Sequence, residues 1–211
     1  MNDVKAIIVC GSPQLWLPED LEGFVVGVDR GALVLIERNI EFAAAVGDFD
    51  SVSELERALI EEKAGEVIEL PEDKDVTDCD VAVAHVVAKG HRLMSLYGAT
   101  GARFDHQFAA IGLMLKYAKK DVEIRMIDGQ NVLYILRPGV HTCSIDASKE
   151  YVSFFALESK VKNLTLTGVE YPLNSYDLAF DDSLCVSNKP LGSSVDISFD
   201  SGYLLVVQSS D

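Results

Sequence analysis

Three short acidic motifs, each placed after an apolar run, carry the residues best suited to chemistry in this chain. They are G-D-F-D-S at 47–51, D-K-D-V-T-D at 73–78 and G-A-T-G-A-R-F-D-H at 98–106. The apolar runs predict buried strands, and the carboxyl ends of such strands form the ligand crevice of an open α/β sheet. Carboxylate oxygens are ligands that Mg²⁺ accepts while it also holds substrate phosphates. The motifs therefore predict a site where a divalent cation meets a polyphosphate.

The first motif places two carboxylates on one side of the chain. In extended backbone Asp48 and Asp50 point the same way, while Phe49 packs inward. The carboxylates repel each other unless a cation or a proton lies between them, so we interpret them as metal ligands. Ser51 and Glu54 fit a capping box for the helix that follows. An acidic turn that merely caps this helix is the alternative interpretation.

The second motif predicts the start of a helix. Thr77 and Asp80 fit a box-like cap, and Asp78 falls in the first turn, where the helix dipole keeps a carboxylate ionised. We interpret Asp80 as part of the helix start and Asp78 as a candidate functional residue. Charge compensation at the helix start is the alternative for both.

The third motif combines a glycine-rich turn with a cation and an acid. Gly98 and Gly101 allow close backbone approach, and Arg103 can bind phosphate oxygens through two donors. Asp105 could hold Arg103, a metal-bound water or the substrate. The turn lacks the G-K-[ST] ending of a Walker A motif and the G-x-G-x-x-G spacing of a dinucleotide site. His106 is interpreted as a packing or surface residue.

Composition narrows the classes of function. The net charge of −16 argues against nucleic-acid and anionic-membrane partners, whose binding requires basic surface. The chain shows no apolar run of the ~20 residues that span a bilayer, and no signal peptide is predicted. Its four cysteines lie far apart in the sequence, so a zinc site is not predicted. Reduced thiols in a cytoplasmic protein are the expectation.

Hydrophobic periodicity predicts an α/β domain at 1–136, with a mostly parallel sheet flanked by helices. The predicted strands are 6–10, 24–28, 42–46, 66–70, 93–97 and 122–127, and the predicted helices are 31–38, 52–63, 78–89 and 104–119. After the R-P-G turn at 137–139 the pattern changes to short alternating runs without a helix. These are 140–145, 151–156, 164–166, 177–180, 184–187, 195–199 and 204–208. They predict an antiparallel β-sandwich at 137–211.

The ordered set of motifs resembles the thiamine pyrophosphokinase family of the bacterial type. V-D-R-G-A at 28–32, L-T-L-T-G-V-E-Y-P-L at 164–173 and S-N at 187–188 extend the resemblance over nearly the whole chain. Lys74 stands where animal relatives often carry Gln, and Ala102 replaces the second Gly of a common G-G-R. The stacking Trp of the animal type is not evident, because the only Trp is Trp16; Tyr203 is not assigned that role.

That resemblance implies an enzyme that transfers the pyrophosphoryl group of ATP to the hydroxyethyl oxygen of thiamine with Mg²⁺, giving thiamine diphosphate and AMP. It implies a homodimer with shared active sites, in which 1–136 binds ATP and Mg²⁺ and 137–211 binds thiamine and dimerises. The implied catalytic residues are Asp48, Asp50, Asp78 and Asp105, the first three being metal ligands. The implied ATP- and phosphate-binding residues are Asp29, Arg30, Gly31, Lys74, Thr77, Gly101 and Arg103. Ser187 and Asn188 are implied to bind thiamine from the partner subunit.

Several alternatives stay open at this point. The sequence does not choose between Asp78 and Asp105 as the acceptor of the thiamine hydroxyl proton. A related diphosphokinase acting on a hydroxymethyl-pterin would share the ATP and metal residues, but the Y-P-L and S-N segments favour thiamine. A non-catalytic thiamine- or nucleotide-binding module is disfavoured because every acidic position is retained. A Mg²⁺-dependent phosphohydrolase would use the same carboxylates with water as the nucleophile.

Overall fold

The computed structural model describes residues 5–71, 73, 75–101 and 103–211. They divide into two compact units, Met1–Gly129 and Gln130–Asp211. The predicted order, a parallel sheet flanked by helices followed by an antiparallel sandwich, is confirmed. Within the described residues, no helix has the length and apolar character needed to cross a membrane.

The first unit alternates strands and helices. Its strands are β1 (Ala6–Val9), β2 (Phe24–Val28), β3 (Ala44–Gly47), β4 (Val67–Glu69), β5 (Leu93–Tyr97) and β6 (Glu123–Ile127). Its helices are α1 (Arg30–Glu37), α2 (Glu54–Lys63), α3 (Asp78–Ala88) and α4 (Phe104–Ala118). Each coincides with a predicted element to within about two residues at either end, as expected for boundaries read from periodicity.

The strands of this unit run parallel in the order β4-β3-β2-β1-β5-β6. The chain therefore builds outward from β1 to β4 and then crosses to β5 on the other side of β1. This makes the gap beyond the carboxyl ends of β1 and β5 a topological switch point, where ligands bind in open α/β sheets. All four residues of β1 are buried, which explains its unbroken apolar run.

The second unit consists of two antiparallel sheets. Its strands are β7 (Asn131–Leu136), β8 (Gly139–Ser144), β9 (Tyr151–Ala156), β10 (Lys160–Thr167), β11 (Leu173–Ala179), β12 (Ser194–Phe199) and β13 (Leu204–Ser209). One sheet places β13 between β7 and β9, and the other has the order β11-β10-β12-β8. Inward-facing side chains of both sheets, such as Phe154, Leu166 and Val206, form one buried cluster. Burial of such alternating faces stabilises a sandwich.

Two predictions for this unit were wrong. Residues 184–187 form turns rather than a strand, because Asp182 and Ser183 hold the chain locally. The backbone N–H of Leu184 donates to Asp182 Oδ1 at 2.9 Å, and that of Val186 donates to the Ser183 carbonyl at 3.2 Å. No strand was predicted at 131–136, yet β7 pairs along its whole length with β13. The predicted boundary after residue 136 follows this strand, whereas the compact units meet between Gly129 and Gln130.

Candidate active site

A cavity of about 600 Å³ opens in the first unit at the switch point between β1 and β5. Segments that follow five consecutive strands line it, together with one face of α4. They include Cys10–Pro13 after β1, Asp29 and Arg30 after β2, Asp48 and Ser51 after β3, Val76–Cys79 at the start of α3, and Gly98–Thr100 after β5. The parallel strands thus bring residues distant in sequence to one edge of the sheet.

The cavity gathers six of the residues predicted for the ATP and metal site. These are Asp29, Arg30, Asp48, Thr77, Asp78 and Arg103. Four others lie near it in the fold but do not line it: Gly31, Asp50, Gly101 and Asp105. Lys74 lies outside the described residues, as does Ala102.

Asp29 adopts a backbone conformation that is rare for a residue with a side chain. It precedes α1 with φ 47° and ψ −122°, and its side chain makes no capping hydrogen bond to the helix. Its carboxylate lies directly above Gly47, where an added Cβ would collide with Asp29 Oδ1. Gly31 packs in the same way against the Val9 carbonyl, so we attribute its place in the motif to close packing of α1 on β1.

The first acidic motif forms a turn rather than the extended backbone we expected. Phe49 has a φ of 57° and is buried, as predicted for its side chain. The N–H of Asp50 donates to Asp48 Oδ1 at 3.3 Å, a local turn that leaves Asp48 on the cavity and Asp50 exposed to solvent. The helix cap is also placed differently. The capping box joins Ser53 and Glu56, two residues later than the predicted pair.

The second motif starts α3 as predicted. Thr77 is the N-cap residue, and its hydroxyl accepts a hydrogen bond from the N–H of Asp80 at 3.3 Å. Asp78 is the first residue of the helix and lines the cavity. The Asp80 carboxylate points elsewhere and binds Lys116 Nζ at 2.6 Å and the Tyr117 hydroxyl at 3.1 Å. Asp80 therefore links α3 to α4, whereas we predicted that its side chain belongs to the helix cap.

The third motif carries an exposed ion pair at the start of α4. Arg103 Nε donates to Asp105 Oδ1 at 3.1 Å, and a second guanidinium nitrogen binds Oδ2. The hydrogen bonds from Arg103 lower the pKa of Asp105, which keeps this carboxylate ionised. Gly101 has a φ of 87° and packs against Gln14, so a side chain there would be both strained and crowded.

The loop after β1 is part of the site, although sequence analysis missed it. The Ser12 hydroxyl donates to the Thr100 carbonyl at 2.6 Å and so fastens this loop to the glycine-rich turn. Gly98 lies against the Cys10 carbonyl, which leaves no space for a Cβ. The Gly-Ser-Pro sequence immediately after the first buried strand was the available signal.

Two thiols also line the cavity. The Cys10 thiol is hydrogen-bonded to that of Cys79, and this bond together with burial raises the pKa of Cys10. Both residues are free cysteines, as are Cys143 and Cys185.

The oxygen donors of the cavity fit Mg²⁺ held jointly with a substrate. Asp48 and Asp78 both line it, and carboxylates are ligands of this ion. Among the residues described, no three His, Cys, Asp or Glu side chains are already assembled around a common point. Mg²⁺ commonly takes one or two protein carboxylates and completes its shell with water and phosphate oxygens. A separate all-protein cage is therefore not needed.

The second unit places the two residues predicted to bind thiamine in different environments. Asn188 is 3% exposed, and its amide both donates to the Tyr171 carbonyl at 2.8 Å and accepts from the Tyr171 N–H at 3.0 Å. Through these two hydrogen bonds the Asn188 side chain fixes the backbone of the Y-P-L segment. Ser187 is exposed and has a φ of 57°. The next residue, Asn188, forms an antiparallel bridge with Val152. Tyr171, whose side chain was not assigned a role, is 62% exposed beside this clamp.

Comparison with known proteins gives consistent matches over both units. A family model described as thiamin pyrophosphokinase, catalytic domain, matches residues 15–126, and one described as thiamin pyrophosphokinase, vitamin B1 binding domain, matches 140–204. The thiamine pyrophosphokinase of Bacillus subtilis (strain 168) is 36% identical over 210 residues, which cover 97% of this chain and 98% of that protein.

Two crystal structures illustrate the likeness in fold. That of thiamine pyrophosphokinase from Bacillus subtilis aligns with a TM-score of 0.90 at 35% identity, over 98% of this chain and 99% of that one. That of a thiamin pyrophosphokinase family protein from Enterococcus faecalis aligns with a TM-score of 0.91 at 32% identity, with the same coverage.

Proposed function

The chain belongs to the thiamine pyrophosphokinase family, and from this premise we propose how its residues bind ATP, a cation and thiamine. Its activity is that of an ATP-dependent thiamine diphosphokinase, with thiamine and ATP as substrates. The observation that supports our assignment of the site is the cavity at the switch point, lined by Asp48, Asp78 and Arg103.

The polyphosphate of ATP is proposed to lie between the two arginines of the cavity. Arg30 is fixed by a hydrogen bond from its guanidinium to the Ser51 carbonyl at 3.1 Å, and Arg103 is held by Asp105. Each arginine keeps further donors for phosphate oxygens, since a guanidinium has five. The N-terminus of α3, capped by Thr77, adds a positive helix end. These groups place positive charge at the cavity of a chain whose net charge is −16.

Mg²⁺ is proposed to be held mainly by Asp48 and Asp78, and Asp50 is proposed to contribute from outside the cavity. The ion would neutralise charge on the transferred group and align the phosphate oxygens. Asp50 is exposed in this structure, and its N–H fixes the Asp48 carboxylate through the turn. We therefore expect Asp50 to contribute less than the two residues that line the cavity.

Asp78 is proposed as the group that accepts the proton of the attacking thiamine hydroxyl. The hydroxyl oxygen must approach the phosphorus in line with the departing AMP, and its proton leaves late in such a reaction. Asp78 lines the cavity, whereas Asp105 does not and has both oxygens bound by Arg103. A carboxylate with both oxygens bound by a cationic side chain is a poor proton acceptor, so we assign Asp105 to the positioning of Arg103. Asp78 would accept the proton through an oxygen that does not bind Mg²⁺.

Thiamine is proposed to bind on the exposed face formed by Ser187 and Tyr171 of the second unit. An exposed tyrosine ring offers a surface for the aromatic rings of a cationic ligand. Asn188 would position this face rather than contact the ligand. We further propose a homodimer with shared sites, in which thiamine bound by this face of one subunit meets the carboxylates of the partner's first unit. A cytoplasmic location is proposed because all four cysteines are free.

One assay tests this assignment. The protein is incubated with ATP, Mg²⁺ and thiamine, and products are separated by chromatography. We expect AMP and thiamine diphosphate in equal amounts. Recovery of ADP with thiamine monophosphate would contradict direct pyrophosphoryl transfer. A hydroxymethyl-pterin replaces thiamine in a parallel reaction, and efficient diphosphorylation of the pterin would contradict the proposed thiamine face.

A further inference from the structure

The loop after β1 is joined to the glycine-rich turn after β5 by contacts that the proposed reaction does not yet use. The Ser12 hydroxyl donates to the Thr100 carbonyl at 2.6 Å, across 88 positions of sequence, and both residues line the cavity. Gly101 packs against the Gln14 side chain, where an added Cβ would lie 2.9 Å from Gln14 Cβ. The loop and the turn therefore hold each other at two points on one wall of the cavity.

Ser12 is itself fixed by its own segment. It begins a β-turn in which the Leu15 N–H donates to the Ser12 carbonyl at 3.1 Å, and Pro13 occupies the second position, where its fixed φ suits the turn. The Gln14 N–H donates to Ser12 Oγ at 3.3 Å. A serine hydroxyl has one proton, and that of Ser12 is donated to the Thr100 carbonyl. Ser12 is therefore an anchor for the turn and not a free donor for a substrate.

The peptide that Ser12 holds is one that could otherwise turn over. It joins Thr100 to Gly101, whose φ is 87°, and glycine accepts positive and negative φ with little difference in free energy. The backbone continues from this peptide to Arg103, the N-cap residue of α4, whose side chain lines the cavity. A hydrogen bond that fixes the Thr100 carbonyl therefore also restricts the backbone that leads to Arg103.

We propose that Ser12 is a positioning residue for pyrophosphoryl transfer, whose hydroxyl fixes the glycine-rich turn and so holds Arg103 where the polyphosphate of ATP meets it. The inference rests on the proposed function, which places the phosphates at Arg103. Without the hydroxyl, the turn would sample several conformations, and only a fraction of the molecules would present Arg103 correctly. The apparent affinity for ATP falls in proportion to that fraction. Thiamine, which is proposed to bind on the second unit, should keep its KM.

The test compares Ser12→Thr, which keeps the hydroxyl, with Ser12→Val, which replaces it by a methyl group of similar volume. Steady-state assays of the full chain vary ATP at saturating thiamine, and then thiamine at saturating ATP. We expect kcat/KM for ATP to be lower in Ser12→Val than in Ser12→Thr by on the order of tenfold, the effect of losing one hydrogen bond. Ser12→Ala, compared with the native protein, makes the same comparison without added volume. Equal kcat/KM for ATP in both pairs, or an equal rise in the KM for thiamine, would overturn the proposal.

Two measurements separate positioning from general loss of stability. Hydrogen exchange read by mass spectrometry should show faster exchange in the glycine-rich turn of Ser12→Val than in that of Ser12→Thr. Ser53→Ala is the control, because it removes the hydroxyl that caps α2 in the same unit but does not line the cavity. It should lower Tm and leave kcat/KM for ATP unchanged. Unchanged exchange in the turn of Ser12→Val, or a loss of kcat/KM in Ser53→Ala as large as in Ser12→Val, would contradict a positioning role.

A double-mutant cycle with Arg103→Ala tests whether Ser12 acts through Arg103. In the Arg103→Ala background, Ser12→Val should cause little further loss of kcat/KM for ATP, because residues that act as a unit are not additive. A second loss as large as that in the native background would overturn the proposal. If Arg103→Ala alone keeps native kinetics, the proposed ATP position is contradicted, and the role of Ser12 with it. If Arg103→Ala is impaired while Ser12→Thr and Ser12→Val agree, the role of Ser12 alone is overturned.

Discussion

Single residues at the site hold backbone conformations that cost free energy. Asp29, Phe49 and Ser187 all have φ between 47° and 57°, although none is glycine. Such conformations cost about 1–3 kcal/mol each and concentrate at functional sites. The Asp29 carboxylate lies against Gly47, and Phe49 follows Gly47 by two residues. Ser187 precedes Asn188, whose side chain binds the backbone of Tyr171. The first two lie at the turn that we propose to bind the metal, and the third carries an exposed hydroxyl.

The first prediction concerns the two carboxylates of the cavity. Asp48→Asn and Asp78→Asn remove one charge each with little change in volume. We expect kcat to fall by on the order of 10²-fold or more in both, because positioned charge of this kind stabilises the transition state by several kcal/mol. Steady-state assays over a range of Mg²⁺ concentrations provide the measurement, and the Asp48 variant should also need more Mg²⁺.

Asp80→Asn is the matched control for these variants. It removes a carboxylate from the same helix turn, but one that binds Lys116 and Tyr117 instead of facing the cavity. We expect its kcat to stay within a few-fold of the native value while its unfolding free energy falls by about 1–3 kcal/mol. Equal losses of kcat at Asp78 and Asp80 would contradict the separate roles assigned to them.

The second prediction concerns pH and His85. The His85 ring on α3 stacks on Phe24, and so does the ring of His91. His85 Nε2 lies 3.8 Å from a Glu66 carboxylate oxygen, and Lys89 is also close. Burial lowers the pKa of His85 below its ordinary value of 6.5. The unfolded chain therefore binds the proton first. The stability that neutral His85 provides is complete above about pH 6.5 and is lost as the pH falls towards the folded-state pKa.

We therefore expect His85→Gln to weaken the dependence of Tm on pH between about pH 7 and pH 5. Differential scanning calorimetry across that range gives the measurement. His106→Gln, which changes an exposed histidine, is measured in parallel. A His85→Gln curve parallel to the native one would show that this residue does not carry the effect.

At the scale of elements, the site depends on how closely helices and turns approach the strand ends. Gly47 ends β3 beneath the Asp29 carboxylate, whereas Gly112 lies inside α4 with open space where a Cβ would be. Both are glycines within regular elements, but only one is required by its surroundings. Gly47 is needed because no side chain fits there, whereas Gly112 only adds the conformational entropy cost of glycine to its helix.

The third prediction follows from this contrast. Gly47→Ala should lower stability by more than about 1 kcal/mol and reduce activity, because the new methyl group would displace Asp29 and the turn that carries Asp48. Gly112→Ala should raise stability by about 0.5–1 kcal/mol, since alanine is favoured in a helix interior. Urea denaturation and a thiamine diphosphate assay measure the two effects. Destabilisation by both substitutions would contradict the open space at Gly112.

Elements were easier to predict than contacts. Parallel strands that are buried on both faces give unbroken apolar runs, so the sheet of the first unit and the convergence of Asp48, Thr77 and Asp78 followed from the sequence. Whether the side-chain amide of an asparagine faces a ligand or binds the protein backbone depends on which distant segment folds against it. Asn188 binds Tyr171 across a turn of the sandwich, and no local signal indicated this. Strand β7 was missed because its apolar run precedes the Pro-Gly turn that we took as a boundary.

At the scale of the whole molecule, the proposed shared site predicts complementation between subunits. Asp48→Asn damages the ATP and metal part, and Tyr171→Ala damages the thiamine face. If each site combines one part from each subunit, a mixed dimer has one doubly damaged site and one intact site. Equal mixing gives half mixed dimers, so activity should recover to about one quarter of the native value.

Subunit exchange is verified independently, by native mass spectrometry of one labelled variant. Complete exchange without recovery would contradict the shared site, as would a monomer at micromolar concentration in analytical ultracentrifugation. The double variant Asp48→Asn, Tyr171→Ala mixed with native protein is the control. In that mixture neither site of a mixed dimer is intact, so activity should fall from half of the native value before exchange to about one quarter after it, whereas sites built within single subunits would keep it at half.

Because β13 is both the last strand of the chain and central in its sheet, the two units can fold in only one order during synthesis. This strand, Leu204–Ser209, lies between β7 and β9 and pairs with both, although β7 and β9 precede it by about 50 residues or more. On the ribosome, the parallel sheet of the first unit can assemble as soon as β6 emerges. The sandwich cannot close until β13 has left the exit tunnel, and until then the edges of β7 and β9 are exposed to other strands. A stalled or truncated chain would therefore present a folded first unit attached to a second unit with unpaired strand edges, which can pair with strands of other chains.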